Sequence, residues 1–115
     1  MQFSIFNNTR KPTPRVPFEK IKNVVLGKHY ELSLVFAGDT LMRRLNRTYR
    51  SHDNTTNVLS FPISKKSGEI FINLSRSAPF GVAHLLIHGL LHLKGIQHGA
   101  TMERREKVLL RAFDL

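Results

Sequence analysis

Apolar and polar residues alternate most regularly from Tyr30 to Phe36, where Tyr30, Leu32, Leu34 and Phe36 are separated by Glu31, Ser33 and Val35. A period of two predicts a largely half-buried strand, closed by the Gly38-Asp39 break. Phe3-Ser4-Ile5 alternates over a shorter stretch and reads as a strand ended by Asn7, Asn8 and a loop with Pro12, Pro14 and Pro17. Between these strands the period changes. Phe18, Ile21 and Val25 recur at helical spacing, with Pro17 suited to the first helical position and Gly27 placed to stop the helix.

After the break, Asp39 or Thr40 is placed to cap a helix whose apolar face is Leu41, Met42, Leu45 and Tyr49, while Arg43, Arg47 and Arg50 fall on another side. Asn57–Phe61 and Glu69–Leu74 are rich in β-forming residues and flank the polar Ser64–Gly68 segment, which predicts a hairpin or neighbouring strands. Pro79 and Phe80 open a strongly apolar helix to about Leu93, and Thr101 is placed to cap a last amphipathic helix through Phe113. No repeat or low-complexity segment interrupts the series. The order strand, helix, strand, helix, strand, strand, helix, helix predicts a single α+β domain over residues 1–115, with helices packed on a mixed sheet.

Composition narrows the function. A formal charge of +10, from 18 Lys and Arg against 8 Asp and Glu, favours a polyanionic partner, nucleic acid first; the alternative is a basic surface that serves only solubility. No apolar run approaches the roughly 18 to 20 residues of a membrane span, and no charged segment, apolar stretch and cleavage site open the chain, so the expected location is cytoplasmic, with no membrane partner. Cysteine is absent, leaving histidine and carboxylate as the strong metal ligands.

Four of the six histidines fall between His84 and His98. On a helix, His88 and His92 stand one turn apart, about 6 Å along the axis, on one face, so both imidazoles can reach one ion at about 2.0 to 2.1 Å. His84 shares the stripe but lies about 12 Å from His92, too far to join them. It reads as a structural histidine satisfied within the fold, with a place behind a ligand or on the substrate side as the alternative. Gly95 lets the helix end and the chain turn, which brings His98 back over the same face. A pair of histidines one turn apart can simply decorate an amphipathic helix; a third after a glycine turn points to a common ion. His29 and His52 have no such company.

This spacing is also the ligand frame of the metzincin proteases, whose general-base Glu after the first His is here Gly89. The frame can hold zinc, or another borderline transition metal, yet lacks peptidase machinery. Three neutral imidazoles leave the ion's double charge uncompensated, which favours an anionic substrate such as a phosphodiester and acidifies a bound water towards a pKa of about 7. A two-metal nuclease would need more carboxylates than the few scattered here.

The run His88-Gly89-Leu90-Leu91-His92-Leu93-Lys94-Gly95-Ile96-Gln97-His98 resembles the His-Gly-x-Leu-His-Leu-x-Gly-x-Asp-His segment of the YbeY family of bacterial endoribonucleases. Leu45-Asn46-Arg47-Thr48-Tyr49-Arg50 and Thr56-Asn57-Val58-Leu59-Ser60-Phe61-Pro62 resemble a second block of that family. Weaker agreement runs through Gly68-Glu69-Ile70, Met102, Glu106 and Leu109, so the resemblance covers the chain from about Leu45 onward. It implies zinc on His88, His92 and His98, and Arg50 as the functional arginine. It also implies cleavage of single-stranded RNA in ribosomal-RNA maturation and ribosome quality control, with the ribosome or its associated factors as partners. Arg43 and Arg47 read as phosphate contacts or plain surface charge.

Two departures stand out. Gln97 replaces the family's Asp, putting an amide where a carboxylate would hold a ligand imidazole. The segment between Asn73 and His84 is also shorter than its family counterpart. Two other functions compete with RNA cleavage: an RNA- or ribosome-binding protein with a structural metal, and, last, a metallopeptidase.

Overall fold

The strand with the clearest alternation lies inside the sheet. The computed structural model describes residues 2 to 78 and 80 to 115. In chain order these form β1 (Phe3–Asn7), α1 (Phe18–Leu26), β2 (Glu31–Ala37), α2 (Asp39–Arg50), β3 (Val58–Ser64) and β4 (Ser67–Asn73). A 3-10 turn (Leu74–Arg76), α3 (Val82–Leu93) and α4 (Ala100–Ala112) complete the chain. The sheet runs β1-β2-β4-β3, parallel from β1 to β4 and antiparallel between β4 and β3. This is the expected α+β domain with a mixed sheet. Its Cα radius of gyration, 13.3 Å, fits the roughly 13 Å of a compact domain of about 100 residues.

Register sorts the side chains into two faces. Leu34 pairs with Ile70 and Phe36 with Ile72 across β2 and β4, and with Leu32 they build the main core against Ile21 and Val25 of α1 and Leu86 and Leu90 of α3. The alternate positions Ala37, Leu59, Phe61 and Phe71 form a smaller cluster with Met42, Leu41 and Leu45 of α2. Helix α2 therefore packs on the opposite face from α1 and α3. Strand β3 is an edge, which accommodates Pro62 and its missing N–H; the register slips between Pro62 and Ser64. The expected hairpin closes tightly, with Ser64 Oγ 2.8 Å from Ser67 Oγ.

The helix starts differ from expectation, and for α2 the cause is visible. Gly38, not Asp39 or Thr40, is the N-cap of α2. The Asp39 carboxylate is engaged elsewhere, accepting from Asn73 Nδ2 (2.6 Å), Arg76 Nε (2.9 Å) and Thr55 Oγ1 (3.3 Å), which ties the end of β4 to the loop before β3. Pro17 caps α1 instead of opening it, while Gly27 ends it as expected. Gly99, not Thr101, precedes α4, and Thr101 lies inside its first turn. Helix α3 starts at Val82, after Phe80; Pro79 lies outside the described residues.

The hydrogen bond from Arg76, then that from Asn73, holds the Asp39 carboxyl below the usual carboxylate range. A depressed folded pKa stabilises the fold above the unfolded value, near 3.9, and that contribution is lost as pH falls through the folded value. Asp39→Asn is therefore expected to melt at a lower temperature than the parent at pH 7, with the gap closing as pH falls below the unfolded value of about 3.9 and through the folded one. Thermal melts from pH 7 to pH 2.5 check it; a gap constant with pH would assign the loss to geometry alone.

Candidate metal centre

Helix α3 turns Leu85, Leu86, Ile87, Leu90 and Leu91 into the core and leaves His84, His88 and His92 on a half-buried stripe. Gly89 sets how closely this helix approaches the sheet. A Cβ there would stand 2.9 Å from Ser60 Oγ and 3.1 Å from Ile70 Cδ1. Ser60 Oγ donates to the Gly89 carbonyl at 3.2 Å, fixing the contact to β3. Position 89 thus faces packed sheet, and a glutamate there would be driven into the core instead of towards the histidines. The peptidase frame fails for a spatial reason as well as a chemical one.

Gly95, at φ +96, provides the left-handed turn that ends the helix, and Ile96 N donates to Leu91 O at 3.0 Å. The returning chain brings His98 Nε2 to 3.1 Å from His92 Nε2, which is itself 3.1 Å from His88 Nε2. One nitrogen from each of the three residues lies within 4.8 Å of the others. Ligands about 2.0 to 2.1 Å from a tetrahedral ion are about 3.3 Å apart, so this spacing suits one ion. Three imidazole lone pairs this close repel one another unless a proton or a cation lies between them, so the donor set fits a metal.

His84 stands outside this group, as its distance along the helix requires. Its Nε2–H donates to Glu106 Oε2 at 2.6 Å, and Glu106 Oε1 is 3.5 Å from His88 Nδ1. Glu106 comes from α4 and is 7% exposed, so a buried carboxylate links His88 to its neighbour one turn back. Spacing along the sequence gives Glu106 no role, although it carries a signal: Met102 and Glu106 share the buried side of α4, and a carboxylate on an apolar face needs a partner. Gln97 is exposed, and it is Glu106 that reaches the His88 ring.

A proton on His88 Nδ1, directed at Glu106, leaves the Nε2 lone pair for an ion. Glu106→Gln is accordingly expected to weaken metal binding about 10- to 100-fold with the fold retained, measured by competition with a chromophoric chelator. Unchanged affinity would reduce Glu106 to a packing residue.

Burial first, then the charges of His88, His98 and Arg50, lowers the His92 pKa, with Glu106 pulling the other way. Arg50 at the end of α2 is thus close enough to act electrostatically on the group, and it is exposed, with no carboxylate partner among the described residues. Arg43 and Arg47 instead share Asp53, at 3.1 and 3.7 Å. Together with Arg44, Arg76 and Asp39 they line an open groove of about 680 Å³.

A sequence profile described as Endoribonuclease YbeY matches residues 10–113. The chain belongs to the YbeY endoribonuclease family. The match reaches well upstream of Leu45, where the two sequence blocks begin. Among curated YbeY relatives, the chain is 34% identical over 128 positions to an "Endoribonuclease YbeY" of Helicobacter pylori, covering 96% of this chain and 90% of that protein. It is 38% identical over 114 positions to the protein of the same name from a Nitratiruptor species, covering 84% and 78% respectively. The Helicobacter alignment is longer than the 115 residues of this chain, so that YbeY protein carries stretches without a counterpart here.

Proposed function

We propose that this YbeY-family chain is a metal-dependent endoribonuclease that hydrolyses phosphodiester bonds of single-stranded RNA, with one zinc ion on His88, His92 and His98. The observation that carries this reading is the convergence of three ring nitrogens, two of them 3.1 Å from the third, on a strongly basic domain. The names of the curated relatives, each an endoribonuclease, support the reaction class. When bound, the ion supplies a Lewis acid that polarises a phosphoryl oxygen and makes water nucleophilic near neutral pH.

The chain's own residues supply the rest. Glu106 keeps His88 in the tautomer that presents its lone pair. Arg50, with no carboxylate to release among the described residues, forks onto phosphate oxygens and stabilises charge that develops on them. Arg43 and Arg47 contact phosphates along α2, exchanging Asp53 for the RNA backbone. Ribosomal RNA and ribosome-associated factors in the cytoplasm are the proposed partners; no helix among the described residues is long and apolar enough to cross a membrane.

Incubation of the zinc-loaded protein with single-stranded RNA tests the reading. Cleavage is expected, abolished by chelator and restored by added zinc. Salt-sensitive RNA binding without turnover would instead support the non-catalytic reading with a structural metal.

A further inference from the structure

Beside the three histidines lies a second cavity of about 380 Å³, and His88 borders both. Its walls differ from the arginine-lined groove on α2. Val58 and Leu85 are apolar, Asn57 offers an amide, and Glu103 offers a carboxylate with no ion-pair partner among the described residues. Phe80 forms part of the lining while remaining 55% exposed. Its ring meets His84 edge to face, centroids 5.3 Å apart at 79°, and His84 is anchored by its 2.6 Å bond to Glu106. One wall is therefore an aromatic ring braced by a fixed imidazole.

We propose that this cavity is a nucleobase subsite that receives a base flanking the scissile phosphate and prefers bases carrying an amino group, guanine above all, over uracil. The inference rests on the nuclease reading for the placement of the phosphate. Charge separates the two parts of a nucleotide: Glu103 repels a phosphate, which Arg50 and a cation held by the three histidines would attract. A base has an uncharged π-face that stacks on Phe80, and unstacked bases of single-stranded RNA are commonly held on aromatic rings. A carboxylate only accepts hydrogen bonds, so it favours N–H groups and disfavours carbonyl oxygens. Guanine presents an imino and an amino N–H side by side, matching the two oxygens of Glu103, whereas uracil has no amino group.

The test uses the zinc-loaded protein with GMP and UMP in a calorimetric titration, and with single-stranded RNAs that differ by one base. Parent protein is expected to bind GMP about tenfold more tightly than UMP, the discrimination typical of one good bidentate contact. Phe80→Ala should weaken both nucleotides by roughly 5- to 100-fold, the effect of one lost base stack. Glu103→Gln should remove the preference while UMP binding holds; both side chains are exposed, so the fold is retained. Equal binding of GMP and UMP by the parent, binding of neither, or indifference to Phe80→Ala overturns the subsite. RNA cleavage without base preference overturns it too and leaves the nuclease reading standing. GMP preference with no cleavage of any RNA sinks the nuclease reading and keeps the subsite.

Discussion

His92→Ala is expected to lose tight zinc binding and to cut RNA at least about a thousandfold more slowly than the parent. The size follows from position. His92 Nε2 is the middle of the three nitrogens, 3.1 Å from each of the other two, and its removal leaves His88 and His98 with ring centroids 4.9 Å apart. A catalytic zinc site generally uses three protein ligands, and the ion's Lewis acidity contributes several kcal/mol, each 1.36 kcal/mol being about tenfold in rate. Burial first, then the charges of His88, His98 and Arg50, holds the His92 pKa below its ordinary value, which favours the neutral ring whose lone pair an ion can take. Metal content after gel filtration and single-turnover cleavage check the prediction together. One tightly held zinc per His92→Ala chain, with undiminished cleavage, would place the chemistry elsewhere.

The fold was legible where one period dominates and less so where a residue has two uses. Tyr30–Phe36 announces β2 because each inward residue meets a core partner, such as Leu34 with Ile70. Asp39 looks like a helix cap by local chemistry, but tertiary contacts decide otherwise: it is engaged by Asn73, 34 residues away, and by Arg76, 37 away. In the candidate metal centre, the convergence of His88, His92 and His98 could be read from spacing because a single helix and one glycine turn bring them together. Glu106 could not be placed that way, since its contact to His84 depends on how α4 packs against α3. The stripe of arginines on α2 was visible too, whereas the division of labour within it was not: Asp53, beyond the helix, engages Arg43 and Arg47.

That division gives the second large effect. Arg50→Ala is expected to slow RNA cleavage about 10²- to 10³-fold with zinc content unchanged, the usual cost of removing a group aimed at charge that develops in a transition state. Arg43→Ala and Arg47→Ala should instead raise KM modestly and reduce the salt dependence of RNA binding, as expected for backbone contacts. Arg50 differs from them in two ways. Its guanidinium has no carboxylate partner among the described residues, so no ion pair need be broken when a phosphate arrives, and its charge is felt at His92. Arg50→Lys keeps that charge and loses the planar fork, so it should recover only part of the rate if two phosphate oxygens are held at once. Single-turnover rates for the three alanine variants and the lysine variant separate these roles. Losses of equal size in kcat at Arg43, Arg47 and Arg50 would show that α2 attracts RNA through its summed charge, with no arginine singled out for the reacting phosphate.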